Sequence, residues 1–171
     1  MAVARFYLYR EKVILPAVVQ AEAGFYMDAR PVKILELTDS EKLRIAIAQA
    51  LSSSNKTVPT PHESHDGGSV LLDALSLKKW SSFEKFAVMY TVYTTGRYTT
   101  VYVTGRGVDG MWSQEATRLR EFHPSVPVTG LTDAIMQEMI RQPEARSERF
   151  GLAIIPKREP EPIADDGAKR S

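Results

Sequence analysis

The chain opens in alternation. Across residues 4–10, "ARFYLYR", Phe6 and Leu8 fall on one side of an extended backbone and Tyr7 and Tyr9 on the other, which predicts a strand. "VILPAVVQAEAGFYMDARPVKILELT" reads as further strand, interrupted near Ala23-Gly24 and punctuated by Pro16 and Pro31. Proline has no N–H for a ladder hydrogen bond, so each proline marks an edge, an end or a bulge. The period then changes to helical. In "TDSEKLRIAIAQALSS", Leu43, Ala46, Ile47, Ala50 and Leu51 share one side, and Thr38 with Glu41 has the spacing of a capping box.

"NKTVPTPHESHDGGS" has no period and predicts a loop, with a short helix following from about Val70 to Leu75. "SSFEK" repeats the cap spacing at Ser81 and Glu84 and predicts one or two helical turns. "WSSFEKFAVMYTVYTTGRYTTVYVTGRGVDGMW", residues 80–112, holds both tryptophans and four of the seven tyrosines, and predicts two strands with a tight turn centred on Thr95-Gly96. That register pairs Tyr93 with Tyr98, Thr91 with Thr100 and Met89 with Tyr102 on an amphipathic face. The other face pairs Val92 with Thr99, Tyr90 with Val101 and Val88 with Val103, and is the better core face. "ATRLREFHP" alternates as an outer strand. "TGLTDAIMQEMIRQ" is the second main helix, with Leu131, Ile135, Met136, Met139 and Ile140 along one side.

Together these elements predict an α+β fold: a twisted antiparallel sheet of about five or six strands with two main helices packed on it. Residues 1–142 form the expected domain. Residues 143–171 are expected to be a disordered tail, polar and proline-containing apart from a small apolar island at 149–155.

Composition narrows the function without naming it. There is no cysteine, which excludes disulfides, thiol nucleophiles and thiolate metal sites. No apolar stretch is long enough to span a bilayer and no signal core opens the chain, so a cytoplasmic location is expected. Of 22 Lys/Arg and 21 Asp/Glu, seven and six lie in residues 141–171, leaving a neutral body with fifteen of each. A dedicated nucleic-acid binder usually carries a basic face that displaces phosphate counterions, so that class loses weight, although a local patch is compatible with neutrality.

Candidate chemistry is sparse. "HESHD" sets His62 and His65 beside Glu63 and Asp66, residue types that suit zinc or nickel. A structural site wants a fourth ligand held in place, and this loop reads as solvated. His123 lies between Glu121 and Ser125, which raises a hydrolase or nuclease reading, but no nucleophile-elbow pattern accompanies it. "GRGVDG" lacks the third glycine of a dinucleotide loop. Tyr93, Tyr98, Tyr102, Arg97, Arg106 and Trp112 are of the types enriched in protein interfaces, and the tyrosines with the arginines also suit a platform for stacking single-stranded bases. Whether a helix covers the tyrosine face is left open at this point.

Several strings carry a family likeness: "FYLY" followed by "ILPAV", "GFYMDARPVKILEL", "VPTP", "KKWSSFEK" and "GRYTTVYVTGRGVDGMW". Over about residues 4–140 the chain resembles a group of small bacterial proteins that are similar to immunity partners of polymorphic or contact-dependent growth-inhibition toxins. The resemblance implies a stoichiometric function, binding a cognate toxin and barring its substrate, with no metal, nucleophile or cofactor. Many immunity proteins to nuclease toxins resemble acidic decoys, and this neutral body departs from that pattern. Recognition would then rest on the aromatic and arginine anchors, with weak salt dependence.

Overall fold

The computed structural model describes residues 1–61, 69–104 and 117–141. The chain runs β1 (Ala2–Tyr9), β2 (Lys12–Ala21), β3 (Tyr26–Glu36), α1 (Ser40–Ser52), β4 (Thr57–Val58), α2 (Ser69–Leu75), α3 (Trp80–Glu84), β5 (Ala87–Thr94), β6 (Thr99–Thr104), β7 (Thr117–Phe122) and α4 (Val128–Ile140). Six strands lie in the order β3-β2-β1-β5-β6-β7 with antiparallel neighbours, and β4 adds a short parallel pair to β2. This is the expected α+β sheet, with β4 falling inside the stretch expected to be loop. The tail beginning at residue 143 lies outside the described residues.

Alternation sorts the side chains as the sequence suggests. Phe6, Leu8, Val13, Leu15, Val88, Tyr90, Val92, Val101 and Val103 project to one face. There they meet Leu43, Ala46 and Ile47 of α1 and Leu131, Ile135, Met136 and Met139 of α4. Tyr7, Tyr9 and Ile14 project to the other face and are covered by Leu71 of α2 and Phe83 of α3. Each main helix therefore buries one apolar stripe, and the sheet is the middle layer.

Three local expectations need correction. The α1 cap is Asp39, not Thr38: its carboxylate accepts from the Lys42 N–H at 3.5 Å and from Lys42 Nζ at 2.7 Å. A carboxylate there meets both the orphan amide and the helix dipole, so it outcompetes the hydroxyl one residue earlier. The Ser81–Glu84 cap is not used, because the N-cap of α3 is Lys79, two residues sooner, with no side-chain cap bond. Ile140 is half exposed at the end of α4, where the apolar stripe has run past the sheet, while Thr132 takes a buried place by giving its hydroxyl to the Val128 carbonyl at 2.8 Å.

The β5–β6 turn is centred on Gly96-Arg97, one residue later than expected. Thr95 N–H donates to the Tyr98 carbonyl at 2.9 Å, and Thr95 Oγ1 accepts from the Arg97 and Tyr98 amides at 3.2 and 3.1 Å. The threonine hydroxyl thus closes the turn locally. Moving the centre by one residue moves the pairing by two, so Thr91 faces Tyr102 and Tyr93 faces Thr100. A shift of two leaves every side chain on its expected face.

Between β1 and β2 the ladder covers only Tyr7↔Ile14 to Tyr9↔Lys12. Pro16, with no N–H to give, lies just beyond, and the β2–β3 register shifts between Pro16 and Ala17. The strands then part, and the segment after α1 fills the gap. Asn55 Oδ1 accepts from the Val3 N–H at 2.7 Å, and Asn55 Nδ2 donates to the Val3 and Val18 carbonyls at 2.8 and 2.9 Å. One amide side chain thereby stands in for a missing stretch of strand. The Gln20 N–H continues the seam to the Lys56 carbonyl at 2.9 Å.

Candidate protein-binding face

The sheet face opposite α1 and α4 carries the tyrosines expected at an interface. Tyr93 and Tyr102 sit on adjacent strands, offset by one pair, with ring centroids 5.7 Å apart in an edge-to-face arrangement. Both rings are half-buried, while Thr91, Thr100 and Thr104 beside them are buried. Arg97 and Tyr98 lie in the turn at the end of this stripe, and both are exposed. By alternation Tyr98 belongs to the same face as Thr100 and Tyr102. Four of the six expected interface residues are thus placed along one hairpin. Arg106 and Trp112 lie outside the described residues.

A polar network that the sequence reading missed braces this face from β1 and β3. Arg5 Nη1 donates to Asp28 Oδ1 at 3.0 Å and Nη2 to the Tyr26 carbonyl at 3.0 Å, while the Tyr7 hydroxyl donates to Asp28 Oδ2. Asp28 is buried and Arg5 nearly so, with side-chain exposures of 4% and 19%. Burial pushes the Asp28 carboxyl above its ordinary range, while Arg5 and Tyr7 pull against that shift. Burial, reinforced by the Asp28 charge, raises the Tyr7 phenol well above its usual value, so it stays a donor. In the β1–β5 register Arg5 faces Thr91 and Val3 faces Tyr93, so Arg5 and Tyr93 are diagonal neighbours on adjacent strands.

The only prior signal for this network was a carboxylate and an arginine placed in alternating apolar strands. The two residues are 23 positions apart, and only the β3-β2-β1 order brings them together.

The histidine reading gains no geometry. His62 and His65 lie outside the described residues. His123 Nδ1 lies 2.8 Å from Ser125 Oγ and also accepts the Ser125 N–H at 3.2 Å. The Val126 N–H returns to the His123 carbonyl at 3.0 Å. These bonds close an exposed turn. Among the described residues no three His, Asp or Glu side chains gather to hold a metal ion.

The aromatic pair and the exposed turn residues Arg97 and Tyr98 form one patch on this face. The rings supply area at low entropy cost, and the network ties β1 to β3 on the same sheet face. No described helix is long and apolar enough to cross a membrane. No protein-family model matches the chain, and no curated protein sequence matches it. Among solved structures the fold is similar to that of a protein of unknown function from Neisseria meningitidis, at 13% sequence identity and a TM-score of 0.51, over 82% of this chain and 93% of that one. At that identity the likeness concerns the fold alone.

Proposed function

We propose that this protein is a non-enzymatic binding module, an immunity protein that neutralises a cognate bacterial toxin by forming a stoichiometric complex. The observation that carries the reading is the half-buried Tyr93–Tyr102 pair, set on the sheet face away from both main helices and braced by the buried Arg5–Asp28–Tyr7 network. A buried ion pair is an expensive way to fill a core, since apolar side chains of equal volume usually stabilise as well or better. It makes physical sense where the geometry of an adjoining surface has to be held. Tyr93, Tyr102, Tyr98 and Arg97 supply the contact, Arg5 stiffens it, and Arg106 and Trp112 extend the set in sequence. The mechanism is occlusion: the complex forms and the toxin's substrate is kept out.

The test starts from the neighbouring genes: the immunity reading expects a large toxin encoded upstream, and its product is the titrant. Isothermal titration should give a one-to-one complex that tolerates raised salt. Replacing Tyr93 and Tyr102 together by alanine should weaken it about 100-fold, the effect of losing roughly 2.7 kcal/mol of hot-spot contact. Absence of a complex with the wild-type protein would remove the immunity reading. Tight, steeply salt-dependent binding of single-stranded oligonucleotide by the same face would replace it with a nucleic-acid one.

A further inference from the structure

A second surface lies at the opposite end of the hairpin from Gly96, where the β1–β2 turn meets α3. Its floor is aromatic. Phe83 is fully buried and contacts Trp80 at 5.1 Å, Tyr9 at 5.3 Å and Tyr7 at 5.7 Å between ring centroids. Tyr9 in turn meets Phe86 at 6.4 Å. Trp80 and Phe86, the outermost rings, are half-buried.

Cations ring this floor. Arg10 Cζ stands 4.8 Å from the Phe86 centroid and 5.3 Å from that of Tyr9, and Lys85 Nζ stands 5.3 Å from Phe86. Lys78 and Lys79 are exposed immediately before Trp80. With Phe83 turned inward, helical spacing sends Lys85 outward. Among the described residues Lys78, Lys79 and Lys85 make no ion pair, whereas Lys12, Arg30, Lys42 and Arg44 each have a carboxylate partner. Set against Glu11 and Glu84 at the same end, Arg10, Lys78, Lys79 and Lys85 leave a local excess of two positive charges in a body neutral in sum.

The backbone adds an independent sign. Arg10 has φ of 56°, in the left-handed region that glycine or asparagine occupies far more cheaply. The arginine at this strained corner has its side chain folded over two rings.

We propose that Arg10, Lys78, Lys79 and Lys85, set around Trp80 and Phe86, form a docking surface for an acidic segment of a protein partner. The chemistry favours a polypeptide over a nucleic acid. Four cations in a compact cap are fewer than the six to ten phosphate contacts typical of a strongly salt-linked nucleic-acid site. Three of the four are lysines, point charges that meet carboxylates without the forked geometry suited to phosphate. The apolar centre with a charged rim has the layout of a protein hot spot. The surface stands independently of the tyrosine face and of the immunity reading.

The probe is a fluorescein-labelled oligoglutamate peptide, followed by anisotropy with the full-length protein at low and at physiological salt. The wild type should bind it, with affinity falling as salt rises. The triple variant Lys78→Gln, Lys79→Gln, Lys85→Gln should bind about tenfold or more weakly, from the loss of three exposed charge pairs. Arg10→Gly relieves the left-handed corner, so it should fold while still weakening binding several-fold. The Tyr93→Ala, Tyr102→Ala variant should bind the peptide as the wild type does, which separates a failure here from a failure of the proposed function. Equal binding by wild type and triple variant, no binding at low salt, or tighter binding to an oligonucleotide of matched charge would each overturn the assignment.

Discussion

The two faces of the sheet solve the same problem differently. Beneath α1 and α4 the surface is aliphatic with two phenylalanines, Phe6 and Phe122, and one tyrosine, and among the described residues no charged side chain is buried there. On the other face, α2 and α3 cover Tyr7, Tyr9 and Ile14, and the neighbouring part carries an arginine, an aspartate, three buried threonines and two half-buried tyrosines. The first arrangement maximises area removed from water. The second spends stability on holding polar groups in fixed relation, the expected trade where a surface is shaped for something outside the fold. The contrast separates what makes the protein fold from what it presents.

The largest expected effect is on the helix-covered face. Phe6→Ala empties a fully buried site between the sheet and its helices and should cost about 4 kcal/mol by urea denaturation. A loss below about 1 kcal/mol would mean that the aliphatic layer is not the stabilising one.

Next comes the polar network. Asp28→Ala leaves Arg5 without its carboxylate and the Tyr7 hydroxyl without its acceptor, and should cost about 3 kcal/mol. If the change is worth only a few tenths, the network is solvated and braces nothing. The pH dependence has a definite sign. Because burial raises the folded pKa of Asp28 above its unfolded value, near 3.8, the folded state holds the proton more tightly. Its contribution is fully present below the unfolded pKa and is lost as pH rises through the folded one. Wild type should therefore gain stability relative to Asp28→Asn as pH falls below the folded pKa, and a constant difference across that range would contradict the shift.

Asn55→Ala should cost about 2 kcal/mol, because it strands the Val3 N–H and two carbonyls at the split between β1 and β2. Asn55→Asp is a sharper probe. It keeps the acceptor for Val3 but turns a carboxylate toward two carbonyl oxygens, so it should be at least as damaging. Amide exchange at Val3 would report either change directly.

The smallest effect sharpens the comparison from the aliphatic side. The Tyr90 hydroxyl is buried there with no hydrogen-bond partner among the described residues, and burial together with the Glu138 charge raises its pKa. Tyr90→Phe removes an unpaired polar group and should leave stability unchanged or improve it by up to about 1 kcal/mol. A loss of 2 kcal/mol would show that this hydroxyl is satisfied in solution, and that the aliphatic face holds a polar contact of its own.

Much of the architecture was readable along the chain, because period is a local property. Alternation at 4–10 placed Phe6 and Leu8 opposite Tyr7 and Tyr9, and the 3.6 spacing of Leu43, Ala46 and Ile47 marked the inner side of α1. Even the hairpin error was harmless to the sorting, since a two-residue slip preserves faces. Errors gathered at ends: at Asp39, where neighbouring cap residues compete; at Lys79, where tertiary contact begins a helix without a cap; and at Thr57–Val58, where two residues become strand only because β2 leaves an edge for them.

By itself, then, the sequence determined the elements, their inner and outer sides, and the set of aromatic and basic residues available for contact. Tertiary structure decided which face α1 and α4 would claim, that Asn55 would mend a split ladder, that Arg5 would meet Asp28 across two strands, and that Lys78, Lys79 and Lys85 would gather around one aromatic floor with Arg10. The physical reason is range. Periodicity and capping act over a few residues, whereas strand order, charge pairing and ring clusters depend on groups dozens of positions apart that share space only after the sheet has closed.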